Sequence, residues 1–131
     1  MNKDKQLYHS GTEWETFVQY SRAVRVGNIV EVSGTTAVDG TKIVGKDDVA
    51  AQTHYILQKI EQSLKALGVS KEAIVRTRMY VTNIEDWKKI GEVHGAFFKG
   101  IQPAATMVQV QALIDPALLI EIEATAIIVS E

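Results

Sequence analysis

The sequence predicts an α+β fold: a mixed sheet of about six strands with two helices on one face. Three observations carry this. Residues 118–129 (LLIEIEATAIIV) alternate with a period of two, as a strand does. Val49, Thr53, Ile56, Ile60, Leu64 and Leu67 recur at three- and four-residue steps, which is one stripe of a helix. Strand-like and helix-like stretches then alternate along the chain, in the order β-β-(β)-α-β-α-β-β.

Residues 17–25 (FVQYSRAVR) read as extended. Val26-Gly27-Asn28 is a turn, because Gly and Asn tolerate positive φ. Residues 29–36 (IVEVSGTT) return as the second strand of a hairpin. Asp39-Gly40 marks another turn, with a short extended piece at Ile43-Val44. Asp47 or Asp48 can cap the helix that follows. Leu57 broadens its stripe, and Gly68 fits a stop after the last apolar position. Residues 74–81 (IVRTRMYV) alternate again. Asn83 can cap a second helix, with Ile84, Trp87, Gly91, His94 and Phe98 on one side, flanked by Ile90 and Phe97, and Gly100 at its end. The chain closes on residues 106–113 and 118–129, read as an antiparallel hairpin around Asp115-Pro116.

The faces of these strands matter most. In the last one, Ile120, Ile122, Ala124, Ala126 and Ile128 form a wholly apolar set that must meet a core. The opposite set, Leu119, Glu121, Glu123, Thr125 and Ile127, holds two carboxylates among apolar neighbours. Residues 74–81 place Ile74, Arg76, Arg78 and Tyr80 on one face. Two helices cover one side of such a sheet, so the charged faces are expected to share the bare side. There Arg and Glu would pair across strands, and the half-apolar, charge-matched surface has the character of a subunit interface.

At 131 residues the chain is read as one domain, 1–131. A domain of this size buries about two-thirds of its unfolded surface, enough for a core. With 46% hydrophobic and 23% charged residues and a net charge of −2, the composition is that of a soluble globular protein. The charge balance argues against nucleic acid as the main partner, since Lys88-Lys89 is the only basic doublet. The sequence has no cysteine, hence no disulfide or thiolate chemistry. The N-terminus lacks an apolar signal-peptide segment, and no apolar run reaches membrane-spanning length. A cytoplasmic protein is expected.

The familiar cofactor and hydrolase motifs are missing: there is no GxGxxG, P-loop, GxSxG or HExxH. His9, His54 and His94 lack ligand spacing, so no metal is expected. Gly91 and Gly95 on one helix suggest close packing on the sheet. Asp47-Asp48 reads as a helix cap. Gly34, after Ser33 within a strand, marks a close approach by a ligand or a neighbour. Glu121 and Glu123 have two readings, structural ion pairing or direct chemistry.

YSRAVRVGNIVEVSGTTA, the long helix, VRTRMYVTNIEDW, PAATMV and IEIEATAI, in this order, resemble the Rid family (reactive intermediate deaminases, also called the YjgF family). The resemblance runs from about Tyr20 to Ile128. It implies an α+β, chorismate-mutase-like homotrimer with a small-molecule cleft between subunits. It also implies hydrolysis of imines and enamines to ammonia and a keto acid, with no metal or cofactor. By the same resemblance Glu121 is the catalytic glutamate that handles the attacking water, and Tyr20, Ser33 and Gly34 line the cleft. The family's PAR(S/T) motif, whose arginine grips the substrate carboxylate, corresponds here to Pro103-Ala104-Ala105-Thr106. Ala105 therefore replaces the arginine, beside Thr106, and Gly91 stands where many members have an asparagine. This places the chain in an arginine-lacking branch, with Arg78 or Arg22 as substitutes. Three functions follow: a hydrolase of a C=N metabolite other than ordinary 2-imino acids, which is favoured; a binding or sensing protein for a small metabolite; or an endoribonuclease or translation inhibitor, which the acidic balance disfavours.

Overall fold

The computed structural model describes residues 4–129. The elements are β1 (Lys5–Tyr8), α1 (Glu13–Val18), β2 (Ala23–Val26), β3 (Ile29–Thr35), β4 (Val38–Asp39), β5 (Lys42–Ile43), α2 (Val49–Ala66), β6 (Ile74–Val81), α3 (Trp87–Phe97), β7 (Ala104–Gln109) and β8 (Ile120–Ile127). Six strands form one mixed sheet in the order β1-β2-β3-β8-β6-β7, and β4 pairs with β5 apart from it. Helices α2 and α3 pack together over one face. This is the α+β arrangement expected.

The local chemistry explains most elements. Gly27, at φ 58°, turns β2 into β3. The Asp48 side chain accepts a hydrogen bond from Ala51 N and so caps α2. The predicted stripe of α2 is buried throughout, with Ile56, Leu57, Ile60 and Leu64 fully so. Each contributes about 1.5–3 kcal/mol by leaving water. At the far end of α2, Arg25 Nη1 donates to Leu67 O at 2.7 Å, satisfying a terminal carbonyl. Of the described residues, no helix is long and apolar enough to cross a membrane.

Five expectations are corrected. The closing strands do not form a hairpin. β7 pairs in parallel with β6, from Arg76↔Ala104 to Val81↔Gln109, and β8 pairs antiparallel with β6 on its other edge and with β3. The apolar face of β8 needs core on both sides, so β8 takes the centre. β7 is largely exposed and takes the edge. Asp115 still shapes the intervening loop, its carboxylate accepting from Ala117 N at 2.8 Å.

Residues 17–25 are not one strand. Thr12 and Glu15 form a capping box, which makes 13–18 helical and leaves 23–26 for β2. The Glu15 carboxylate also accepts from Ser10 N at 3.0 Å. Burial pushes its pKa up, but the hydrogen bonds from Ser10 and Thr12 outweigh it and hold the carboxyl below its ordinary value.

Ile74 lies in the core rather than on the bare face. A register shift between Ile74 and Arg76 moves it across, opposite Ala126. Trp87 is 55% exposed, although the helical period places it with Phe98. The preceding 3-10 turn, Ile84–Asp86, has a different period and takes Ile84 out of the helical stripe as well. Asn83 caps that turn, accepting from Glu85 N, and α3 buries Ile90 and Phe98 instead. Finally, Gly91 and Gly95 are not close-packed. A Cβ at either would meet open space.

Gln52 is a fully buried polar side chain with no signature in the local sequence pattern. Gln52 Nε2 donates to Gly45 O and Ala117 O, and its Oε1 accepts from Leu119 N at 2.9 Å. It ties the start of α2 to the segment entering β8. Gln52→Leu should leave Leu119 N–H and the Ala117 carbonyl unpaired, while Gly45 O keeps its bond from Asp48 N, at a cost of about 1–3 kcal/mol. Urea unfolding should show the lower midpoint with an unchanged slope.

Candidate functional site

The site begins with an irregularity in β3. Pairing with β8 shifts between Val32 and Thr35, which frees Ser33 and Gly34 from the regular ladder. Ser33 Oγ donates to Ser21 O at 2.6 Å, and Ser33 N to Arg22 O at 3.0 Å. These bonds fix the irregular strand against the segment preceding β2. Gly34 O accepts from Arg22 Nη2 at 2.6 Å.

Across the sheet, Glu121 on β8 fills the space over Gly34. A Cβ at Gly34 would overlap Glu121 Oε2 and lie 3.0 Å from Cδ. Gly34 is therefore needed for the room it leaves, and the close approach expected there is made by Glu121. Burial pushes the Glu121 pKa up; the Arg22 charge pulls it down and Glu123 adds to the rise, with a net upward shift. Arg22 is 7% exposed, and its guanidinium lies 5.4 Å from the centre of the Tyr20 ring. Tyr20, Gly34, Arg22 and Glu121 thus form one cluster, with Ser33 bracing it.

Glu123 has different company. Tyr80 Oη donates to Glu123 Oε1 at 2.7 Å, and Arg78 Nε stands 4.0 Å from the same oxygen. That hydrogen bond, then burial and the Glu123 charge, raises the Tyr80 phenol. The cross-strand Arg/Glu pairing expected on the bare face is thus Arg78 with Glu123. The two carboxylates differ in surroundings: Glu123 is ion-paired, and Glu121 is the half-buried carboxyl in a cluster.

The edge strand holds the remaining residues. Thr106 Oγ1 accepts from Arg76 Nη2 at 2.6 Å on the bare face. Ala105 is opposite Thr77, whose side chain faces the helices and meets His94 Nε2 at 2.9 Å. Burial lowers the His94 pKa. Ala105 and Glu121 therefore lie on opposite faces, with β6 between their strands and Glu121 displaced toward Tyr80 in register. Two strand spacings come to roughly 10 Å and the register offset adds about 10 Å along the strand.

A family model described as Endoribonuclease L-PSP matches residues 10–128. The chain belongs to this family, the YjgF/Rid family. It is similar to the crystal structure of Rv2704, a YjgF/YER057c/UK114 member from Mycobacterium tuberculosis, with 47% identity, a TM-score of 0.87, and 95% of this chain and 99% of that one covered. It is also similar to the 3-aminoacrylate deaminase RutC of Acinetobacter baylyi, with 33% identity over 82% of this chain and 85% of that protein. A structure of E. coli TdcF with bound serine matches with 29% identity and a TM-score of 0.77, over 84% of this chain and 88% of that one.

The site residues expected from the sequence of this YjgF/Rid chain do not form one group. Tyr20, Ser33, Gly34 and Glu121 come together; Ala105 and Thr106 lie apart, and Arg78 belongs with Glu123. As substitutes for the missing arginine, neither Arg78 nor Arg22 stands at Ala105. Arg78 serves Glu123, and Arg22 is buried on the Gly34 carbonyl. Lys59, on α2, is a further half-buried cation that no motif marks. Its Nζ donates to Val38 O at 3.0 Å, and burial, then the Arg22 charge, lowers its pKa. The lysine next to buried Ile60 was its only signal. Among the described residues no group of three or more His, Asp or Glu could hold a metal.

Gly34→Ala tests the geometry directly. The atoms in its way are the far end of a flexible side chain, so the expected result is a folded protein with the Glu121 carboxyl swung out. A crystal structure of the variant with Glu121 unmoved would contradict this.

Proposed function

We propose that the protein is a cytoplasmic homotrimer with small-molecule clefts between subunits, and that it hydrolyses an imine, enamine or other polarised C=N metabolite without a cofactor. The observation that carries this is Glu121: a half-buried carboxyl of raised pKa, seated over Gly34 in a family whose members include a named deaminase. In this reading the Glu121 carboxylate takes a proton from water as the oxygen attacks the C=N carbon. That proton passes to nitrogen, giving a carbinolamine; its hydroxyl then gives up its own proton, which also reaches nitrogen, as the C–N bond breaks and the C=O bond forms, so that ammonia and a carbonyl compound leave. Tyr20 and the Ser33-Gly34 segment would line the cleft, with Thr106 and Ala105 supplied by the neighbouring copy.

Two features support a shared cleft. The bare face carries Arg78, Tyr80 and Glu123 beside the exposed Ile127, a surface suited to burial against another copy. In addition, Ala105 is too far from Glu121 within one copy for both to touch one small ligand. Ala105 points to a substrate other than ordinary 2-imino acids, because the strand offers no arginine fork for a carboxylate. The same residue favours a second reading, a protein that binds a small metabolite without turning it over; TdcF with bound serine is a relative seen with an amino acid. The ribonuclease reading, which the family description names, fits poorly with a net charge of −2 and one basic doublet.

The test pairs light scattering with an assay of ammonia release from a panel of imines generated from different amino acids and amines. A trimer releasing ammonia from part of the panel is expected. A monomer at micromolar concentration would remove the shared cleft. A trimer that binds compounds from the panel but releases no ammonia would leave the binding reading.

A further inference from the structure

Arg22 is a buried cation at the site, and its own bonds do not account for it. Of its five N–H donors, Nη2 reaches Gly34 O at 2.6 Å, while Nε is buried with no hydrogen-bond partner. Burying a guanidinium with unmet donors is costly unless an opposite charge offsets it. Among the described residues no ion pair joins Arg22 to Glu121. Yet the charge of Arg22 acts on Glu121 through the interior, and on Lys59 behind it.

The geometry points to Arg22 as a positioning residue for Glu121: its guanidinium holds the carbonyl of Gly34, the residue whose missing side chain makes room for the carboxyl. The inference rests on the reading of Glu121 as the working carboxylate. The two functions are joined by one peptide group. The Gly34 carbonyl is held by the guanidinium, and the Gly34 Cα leaves the gap that Glu121 occupies. Tyr20 completes the arrangement, its ring 5.4 Å from the guanidinium. A cation over a ring face is attracted by the ring quadrupole. Arg22 is thus fixed from two sides, unlike an exposed arginine that could swing onto a substrate.

Other charged groups bear on the same carboxyl. Glu123 on β8 opposes its ionisation, and Tyr80 on β6 lies opposite it in register. Lys59 on α2 responds to Arg22 as well, and to Asp39 and Glu15 with the opposite sign. Arg22 is the cation that acts on Glu121, so removing it leaves burial and Glu123 unopposed.

The experiment is a direct titration, which needs no substrate. Protein labelled with 13C at glutamate Cδ is titrated by NMR, the Glu121 resonance being assigned by its loss in Glu121→Gln. Arg22→Gln removes the charge and should move the Glu121 midpoint to higher pH than in the wild type. Arg22→Lys keeps a charge and should restore the midpoint most of the way. A wild-type midpoint in Arg22→Gln overturns the proposal, as does an equal rise in both variants or failure of both to fold. A shifted midpoint in a protein that releases ammonia from none of the imines would leave Arg22 positioning Glu121 and remove the hydrolase reading alone.

Discussion

Glu121→Gln is expected to lower turnover of any C=N substrate by roughly a hundredfold or more, the range of a general base. Glutamine keeps the shape over Gly34 and loses the ability to accept a proton from water. Its neutral amide also suits a half-buried position, so the variant should be at least as stable as the wild type. The pH dependence gives the sign. The base must be ionised, so wild-type activity should rise with pH through the raised Glu121 pKa. Stability should run the other way. A carboxyl whose folded pKa is raised holds its proton more tightly when folded, so stability falls as pH climbs from the ordinary 4.5 toward the raised value. Glu123→Gln is the control. It weakens contacts with Tyr80 and Arg78 on the bare face and should reduce assembly before it reduces turnover per assembled site. Equal activity in Glu121→Gln and wild type would make Glu121 a structural carboxyl.

What could be read from the sequence followed the local signals. The stripe of α2 is one face repeated over five turns, and nothing competed with it. Residues 120–128 alternate without a break, so the buried and bare faces of β8 came out correctly. Where the period slipped, the reading slipped with it. One shifted residue put Ile74 on the wrong side, and the 3-10 turn before α3 did the same to Ile84. The pairing of β7 was illegible for another reason. Strand neighbours are set by tertiary competition for the sheet's centre, and Asp115-Pro116 looks the same in a hairpin loop and in a crossover. The site divides likewise. Gly34 was visible as an odd residue in a strand. That Glu121 is what fills its space depends on register between β3 and β8, which no local pattern contains. Thr12 and Glu15 are the instructive miss, because their capping-box spacing was present and marked α1.

Ala105→Arg should raise hydrolysis of ordinary 2-imino acids by tenfold or more. Ala105 is exposed on the edge strand, so a long side chain there displaces nothing and the fold should tolerate it. An arginine fork on a carboxylate contributes about 1.5–3 kcal/mol per charged hydrogen bond. At about 1.4 kcal/mol per factor of ten, two such bonds acting on the transition state amount to roughly a hundredfold or more. The prediction is set below that ceiling because Gly91, where many members carry an asparagine, leaves open space on the neighbouring helix. Within one copy the new guanidinium cannot approach Glu121, since it projects from the opposite face with β6 between them. Any gain must then come from a neighbouring copy, and it should vanish in a Glu121→Gln background. The assay compares wild type, Ala105→Arg and the double variant on imines from serine, threonine and leucine. Wild-type turnover equal to that of arginine-containing relatives would show that Ala105 does not limit these substrates. No gain in a variant that is still trimeric would mean that the cleft is shaped for another ligand, and would favour the metabolite-binding reading.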